Sequence, residues 1–480
     1  MPESIPVVVD LDGTLTPVDT LFEGALAAVR ARPACLFGML LALLRGRASL
    51  KHYVSERAVP DMSTLPWRTE LLDELRARRA AGSRIVLATA ANERVAQAAA
   101  THLGLFDAVL ASSDQLNLKG RAKLAAIQQQ FGDRFIYAGD SSADLPIWAQ
   151  AQGAILVGAS ASVSRQARSM ARVEQEIAPR RSGLALWLRA LRWHQWAKNL
   201  LIFVPLLAAL GTVQPGGAAR AVLAFVAFCL VASATYVGND LWDLQHDRAH
   251  PRKRQRPMAS GAIPIAQAVA VSLGVLLIGF AMASLVSGAF LAMVLVYFAL
   301  TCAYSWVLKT YVLVDVLVLA MLYTLRVIAG AVAIQAPVSH WLLVFSTLVF
   351  FSLALVKRCS ELVSRAAQGG QRASGRDYGV DDLVVLWPLG VGAALSSIVV
   401  FCLFIDSPAT QQRYGSPQSL WLGAVALTYL LSRLWVKTAR KEMHDDPIVY
   451  TLRDRASLIM VTIMAVSVAL AHLDLQGLLP

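Results

Sequence analysis

Two hydrophobic patterns divide the chain. Over the first third, short β-branched runs alternate with stretches of helical period. Strands are expected at Val7–Leu11, Arg84–Ala88, Ala108–Ala111, Phe135–Ala138 and Ala154–Val157, with helices such as Trp67–Ala81 and Ala122–Phe131 between them. Such alternation predicts a parallel sheet covered by helices, with reactive groups at the carboxyl ends of the strands. Residues 17–66 predict a small helical cap. Its apolar run Cys35–Leu44 is shorter than the roughly 20 residues that span a bilayer. Two readings stay open for it: core of the cap, or a surface that dips toward a membrane. From Ser160 to Gly183 the chain turns to Ser, Ala and Arg and reads as a linker, ending Ala178-Pro179-Arg180-Arg181-Ser182-Gly183.

Beyond it the pattern changes. Leu184–Asn199 sets Trp187, Trp193 and Trp196 beside Arg189, Arg192 and Lys198, the composition of a helix lying at headgroup depth. Apolar stretches then follow at 199–213, 219–238, 264–284, 288–307, 312–334, 341–356, 383–405, 419–436 and 456–474. The expected architecture is an N-terminal α/β Rossmann-like domain over 1–178, a linker and interfacial helix over 179–198, and an all-α membrane domain of about nine transmembrane helices over 199–480.

Composition agrees with insertion: 56% of the 480 residues are hydrophobic and the mean hydropathy is +0.53, too apolar for a soluble protein. The net charge of +12 would suggest nucleic acid in a soluble chain. Here, however, many of the cations flank apolar runs and set topology instead. The connections after the second, fourth, sixth and eighth stretches hold Arg248, Arg252, Lys253, Arg254, Arg256, Lys309, Lys357, Arg358, Arg365, Arg372, Arg376, Arg433, Lys437, Arg440, Lys441, Arg453 and Arg455, against Arg220 and Arg413 on the other side. That asymmetry predicts a multi-pass protein of the cytoplasmic (inner) membrane, its N-terminal domain in the cytoplasm and its C-terminus outside. The opening residues lack a basic, then apolar, leader, so no cleaved signal is expected. Cys35, Cys229, Cys302, Cys359 and Cys402 form no C-x-x-C pair, which argues against a disulfide framework or a zinc site.

Acids fall where the predicted sheet needs them. Asp10 and Asp12 close the first strand, Thr89 closes the second, Lys123 lies on the helix Ala122–Phe131, and Gly139-Asp140-Ser-Ser-Ala-Asp144 follows the fourth strand. This D-x-D-G-T opening and G-D-x-x-x-D closing resemble the haloacid dehalogenase superfamily. The resemblance implies that Asp10 is a nucleophile and that Asp12 is a proton donor and then a base. It further implies that Thr89 and Lys123 hold phosphoryl oxygens, with Lys119 the alternative lysine, and that Mg2+ is held by Asp10, Asp12, Asp140 and Asp144.

A second acidic set follows the second apolar stretch: Asn239, Asp240, Asp243 and Asp247, the aspartates at i, i+3 and i+7 and so on one helix face. Three carboxylates beside an apolar span suit Mg2+ carrying a substrate's phosphates, with the neighbouring basic run Arg252, Lys253, Arg254 and Arg256 on the outer phosphate oxygens. The other reading is a solvated basic loop. Arg326 lies deep in a span, where a lone charge costs about 2.5–3.5 kcal/mol, so an interior partner or ligand is expected. Asp315 is a weak candidate for that partner, being three turns away on the same helix.

The apolar stretches with N-D-x-x-D-x-x-x-D after the second resemble the UbiA superfamily of intramembrane prenyltransferases. Members usually carry a second D-x-x-x-D after the fourth span; here Asp315 stands in that region, but Leu319 replaces the second acid. The segments His194-Gln-Trp-Ala-Lys198-Asn199, Tyr323-Thr-Leu-Arg326, Lys357-Arg358-x-x-Glu361, Asp446-Pro-Ile and Arg453-Asp454-Arg455 are more similar to the branch that transfers phosphoribose to polyprenyl phosphate. The resemblance implies Asp240 and Asp243 as catalytic acids. Lys198, Lys253, Arg254, Lys309, Arg326, Lys357 and Arg358 are candidate cations for the donor's phosphates, and each of them except Arg326, Lys309 above all, also reads as a topology charge.

The expected partners are polyprenyl phosphate, phosphoribosyl pyrophosphate and the bilayer, with no nucleic acid, and a homo-oligomer is allowed. The expected reaction is Mg2+-dependent transfer of 5-phosphoribose to the lipid phosphate, after which the fused phosphatase removes the 5-phosphate. Two alternatives stand beside it. One is a prenyltransferase using prenyl diphosphate and an aromatic or other acceptor; the other is a phosphatase tethered to a non-catalytic membrane domain.

Overall fold

A computed structural model describes residues 5–113, 116–179, 183–210, 213–367, 369–370, 376–443 and 446–473. Arg180, Arg181 and Ser182 of the expected linker, Arg372 of the expected inner loops, and the C-terminus expected outside lie beyond the described residues. The chain falls into two compact units: Met1–Leu191 with Val237–Val271, and Arg192–Tyr236 with Ser272–Pro480.

The first unit is built on six strands, β1 (Val7–Val9), β2 (Ile85–Asn92), β3 (Ala108–Ser112), β4 (Ile136–Gly139), β5 (Gly153–Val157) and β6 (Val173–Ile177). They form a parallel sheet in the order β3-β2-β1-β4-β5-β6. Central strands such as Val7–Val9 are buried throughout, as a sheet covered on both faces requires. The order reverses direction between β1 and β4, and that switch point opens a crevice at the strands' carboxyl ends. Asp10 follows β1 there and Asp140 follows β4.

β6 corrects the expected linker. Val173, Gln175 and Ile177 alternate with Glu174 and Glu176, and the outward acids make the segment read as polar. They also suit an edge strand, where charge discourages pairing with another chain. Ser160, read as the linker's start, caps the helix Ala161–Met170 by accepting from the Val163 N–H at 3.4 Å. The cap is helical, as expected: Thr20–Ala31, Cys35–Leu44 and Arg47–Arg57.

Among the described residues, seven helices are long and apolar enough to cross a membrane, or eight if the bent pair Pro447–Arg453 and Arg455–Ala471 is one span. The protein is therefore multi-pass. Of the nine expected stretches, 199–213 differs: a 3-10 run, Trp193–Phe203, leads into the short helix Val204–Ala208. Pro205 sits at the start of that helix, where the absence of its N–H costs nothing, and neither piece is long enough to span.

In the second unit Phe228, Phe290, Tyr297, Val318 and Leu322 form one buried cluster, and Leu355, Leu362, Leu386, Leu434 and Trp435 another. Outward residues such as Leu277, Leu285 and Val425 are apolar and exposed, as lipid-facing positions must be. A Cβ on Gly330 would lie 2.1 Å from the Ile202 carbonyl oxygen, so this glycine lets the helix Val314–Ala333 meet the 3-10 run backbone to backbone. Gly330→Ala is expected to cost about 1–3 kcal/mol by overpacking, read as a lower unfolding midpoint in detergent; an unchanged midpoint would contradict the close approach.

Candidate functional sites

Asp10 leaves β1 with its backbone N–H bonded to the Ala138 carbonyl at 3.0 Å, which ties the two central strands together at the switch point. Ligand oxygens of Asp10, Asp140 and Asp144 all lie within 4.8 Å of one another. Lys123 Nζ reaches Asp10 Oδ2 at 2.7 Å and donates to the Tyr137 hydroxyl at 3.0 Å. Tyr137 in turn donates to Asp144 Oδ1 at 2.8 Å. The other Asp144 oxygen accepts from the backbone N–H groups of Asp140 and Ser141 at 3.2 and 3.1 Å. Thr14 donates to Asp140 at 3.2 Å. Gly13 is obligatory: φ is +80° and a Cβ would sit 2.3 Å from Asp140 Oδ2.

Burial, then repulsion from Asp144 and Asp10, pushes the Asp140 carboxyl up to about 7. Burial also raises Asp10, with Lys123 opposing the rise. Crowded hard oxygens whose ionisation is resisted in this way fit Mg2+. Asp12 is placed apart from that group, its Oδ1 accepting from the Thr20 N–H at 2.8 Å. Burial, helped by Asp19, pushes its carboxyl up to about 8, so it holds a proton near neutrality as a general acid must. Thr89 is buried and its hydroxyl accepts from the Ala91 N–H at 3.0 Å.

One residue of this cleft escaped the sequence reading. Lys51, from the cap helix Arg47–Arg57, lines a narrow cavity with Asp12, Thr20 and Asn92, donating to the Ala90 carbonyl at 2.6 Å and Asn117 Oδ1 at 3.0 Å. Its signal was one cation among three on a cap helix, which by itself resembles any surface lysine.

The second acidic set belongs to the same unit. Helix Gly217–Trp242 ends just before Asp243, and Leu244–Ala249 resumes after it. Backbone bonds from Asp243 N to Asn239 O and from Asp247 N to Asp243 O, both 2.9 Å, carry the helical register across the break. Asp240 and Asp247 consequently face one cation: Arg256 Nη1 lies 3.0 Å from Asp240 Oδ1 and 2.6 Å from Asp247 Oδ2. Both carboxylates are buried. Arg256, expected with the basic run on phosphate oxygens, is thus paired with the acids themselves. Lys253 Nζ stands 4.0 Å from Asp247, and Lys253 and Arg254 are exposed. Asn239 and Asp243 are half-buried. Among the described residues only Asp10, Asp140 and Asp144 gather as a metal-sized group; in this second set Arg256 takes the place between Asp240 and Asp247.

Next along the chain, Arg248 reaches back into the cap. Its guanidinium forms a buried two-pronged pair with Glu23 of the helix Thr20–Ala31, at 3.0 and 2.5 Å, and donates to the Ala259 carbonyl at 3.0 Å. Neither group was singled out as a partner from sequence, because 225 residues separate them.

In the second unit, Lys198 Nζ lies 2.8 Å and Lys357 Nζ 3.4 Å from Asp446 Oδ2, with the Tyr323 hydroxyl 3.3 Å away. A narrow cavity there is lined by Leu319, Tyr323, Lys357 and Asp446. Asp446 was noticed only within Asp446-Pro-Ile and given no role.

Two expected phosphate cations prove otherwise engaged. Arg326 donates to Asn199 Oδ1 at 2.9 Å, to the Tyr297 hydroxyl at 3.0 Å and to the Leu322 carbonyl. Arg358 pairs with Asp315 at 2.5 Å and also with Glu361. Asp315, an unconvincing partner for Arg326, is thus taken by Arg358 and by the Tyr304 hydroxyl at 2.8 Å. Lys309 lies half-buried on the short 3-10 turn Leu308–Thr310.

Residues 200–471 match the UbiA prenyltransferase family, and residues 7–148 match haloacid dehalogenase-like hydrolases. Over 97% of this chain and 91% of the other, it is 38% identical to an uncharacterized protein, y4nM, of Sinorhizobium fredii. It is 34% identical to the nodulation protein NoeC of Azorhizobium caulinodans, over 57% of this chain and 89% of that one. It is also 37% identical to a decaprenyl-phosphate phosphoribosyltransferase of Mycobacterium tuberculosis, over 43% of this chain and 70% of that one.

Glu23→Ala is expected to cost about 3–5 kcal/mol, because it strands a buried guanidinium. The Glu23→Ala/Arg248→Ala pair should cost clearly less than the sum of the single losses in thermal unfolding. Additive losses would mean that the two side chains do not interact.

Proposed function

Since the chain belongs to the UbiA prenyltransferase family and carries a haloacid dehalogenase-like domain ahead of that part, we propose that it is a bifunctional membrane enzyme. In the first reaction a polyprenyl phosphate oxygen attacks C1 of phosphoribosyl pyrophosphate, and the C1–O bond to pyrophosphate breaks. In the second, the N-terminal domain removes the 5-phosphate of the lipid-linked product. Both acidic sets face the cytoplasm in this reading, as the distribution of Lys and Arg suggests.

The observation that carries the choice of donor is the fate of Asp315. A second acidic pair would suit a prenyl diphosphate, but Leu319 stands in place of its second member, and Arg358 and Tyr304 hold Asp315. In the same unit Lys198 and Lys357 share the single carboxylate Asp446. Two ammonium groups on one acid leave net positive charge for a donor's phosphate. The relatives named as phosphoribosyltransferases support the same choice.

When bound, Mg2+ supplies charge neutralisation for the departing pyrophosphate and for the phosphomonoester. Asp240, Asp243 and Asp247, with Asn239, would hold it in the transferase, and Asp10, Asp140 and Asp144 in the phosphatase. Lys253 and Arg254 screen the outer oxygens of pyrophosphate. In the phosphatase, Asp10 attacks phosphorus, and Asp12, protonated beforehand, delivers its proton to the leaving ribose oxygen. Water then hydrolyses the aspartyl phosphate with Asp12 as the base. Lys123 and Thr89 hold the phosphoryl oxygens. Tethering favours the sequence of steps, because the product is released beside a fused second enzyme. The Glu23–Arg248 pair joins the phosphatase cap to the residue after Asp247.

The full chain, given labelled phosphoribosyl pyrophosphate, polyprenyl phosphate and Mg2+, should form lipid-linked ribose. Asp10→Asn should stop the reaction at lipid-linked 5-phosphoribose, and an unchanged phosphate content of the product would refute sequential action. Asp240→Asn and Asp243→Asn should each lower transfer by at least ~100-fold, the usual scale for losing a charge-stabilising group. Full transfer in correctly inserted variants would favour a tethered phosphatase. Phosphoribosyl pyrophosphate with Mg2+ should stabilise the protein by about 2.7 kcal/mol at a hundredfold excess over its Kd. Stabilisation by prenyl diphosphate alone would favour the prenyltransferase alternative.

A further inference from the structure

The cap carries a surface that neither reaction uses. Helix Cys35–Leu44 reads CLFGMLLALL, ten residues without one charge. Cys35, Met39 and Ala42 turn inward at i, i+4 and i+7, and Cys35 and Met39 pack with Ala28 and Val54. The remaining face is bare: Phe37 is 73% exposed, Leu41 62% and Leu44 85%, with Leu36, Leu40 and Leu43 at 50% or more. For a domain that folds around a sheet of its own, this is a large contiguous apolar patch, and patches of that kind mark an interaction surface.

Charge identifies what covers it. From Gly24 to Ser55 the chain holds Arg30, Arg32, Arg45, Arg47 and Lys51 and not one acid. Arg32 precedes the apolar helix, Arg45 and Arg47 follow it, and all three are exposed. An apolar face fringed by arginines suits acyl chains below anionic headgroups. At ten residues the helix is too short to cross a bilayer; it fits one lying in the interface.

Contacts within the same unit put a membrane within reach. Helix Thr20–Ala31, which packs on this helix, is joined by Arg30 to Gln245 at 3.4 Å and by Glu23 to Arg248. Those partners lie on Leu244–Ala249, directly after the apolar helix Gly217–Trp242.

We propose that the cap helix Cys35–Leu44 docks in the interfacial layer of the bilayer, its flanking arginines on anionic phospholipid headgroups. The phosphatase cleft, roofed by the same cap, is thereby held at headgroup depth, where a lipid-linked phosphate ester presents its phosphate. The docking itself requires neither reaction to be correctly assigned.

The test uses the full chain in proteoliposomes of phosphatidylcholine and phosphatidylglycerol, with a photoreactive p-benzoylphenylalanine placed singly at Phe37, Leu40 or Leu41. Irradiation and mass spectrometry should find phospholipid adducts at all three positions and at least tenfold fewer at Gln129, an exposed control on the helix Arg121–Phe131. Adduct yields equal to the control would overturn the proposal, as would crosslinks chiefly to a second copy of the chain. Arg32→Gln/Arg45→Gln/Arg47→Gln should cut the yield at Leu40 several-fold in vesicles containing phosphatidylglycerol and leave it unchanged in pure phosphatidylcholine. An unchanged yield in both would overturn the electrostatic part. Three independent probe positions guard against one misfolded variant, and no readout depends on turnover.

Discussion

Carboxylates gathered out of water repel one another, and wherever this chain gathers them it sets a cation in their midst. At the sheet's switch point Lys123 lies 2.7 Å from Asp10 and 4.0 Å from Asp144, leaving Asp140 to be protonated or to share a metal. One ammonium cannot offset three crowded acids, two of them buried, so their repulsion favours a proton or a further cation among them. Repulsion of this kind works against the fold and is relieved by any added positive charge. The sheet bears that load because the strands carrying Asp10 and Asp140 are neighbours, hydrogen-bonded up to the point where the acids emerge.

Buried charges in the second unit obey the same rule to a different end. Arg326 spends all three nitrogens on Asn199, the Leu322 carbonyl and Tyr297, so it has few donors left for a ligand; Arg358 is ion-paired with Asp315 and Glu361, with its Nε buried and unbonded. Lys198 and Lys357 are different. They share one carboxylate, and an ammonium group can turn from it to a phosphate without breaking the packing. The contrast lies between a guanidinium whose donors are all taken within the helices and two ammonium groups that share one carboxylate, although all of them look alike as basic residues beside apolar runs.

That likeness explains what was legible in the sequence and what was not. Five of the six strands, the helical cap, the apolar spans and the acids at the strand ends follow from local pattern, because burial imposes periodicity and strand ends impose position. β6 escaped because an edge strand bearing Glu174 and Glu176 lacks an apolar run. The stretch 199–213 looked like a span because hydropathy registers composition and not the change from 3-10 to α geometry. Pairings between distant residues left no local trace. Arg256 between Asp240 and Asp247, Arg358 on Asp315, and Glu23 on Arg248 were therefore found only in three dimensions.

The last of these pairs has the widest reach. A carboxylate and a guanidinium leave water only when the contact is kept, and this contact joins the cap helix Thr20–Ala31 to the helix Leu244–Ala249, which carries Asp247. Arg248 follows Asp247 directly, so a shift of the cap pulls on the backbone of an acid that Arg256 already holds. The cap and the backbone of Asp247 are thus tied through this buried pair and through the contact of Arg30 with Gln245. Any displacement of Arg248 must carry Glu23 with it or leave two buried charges unpaired.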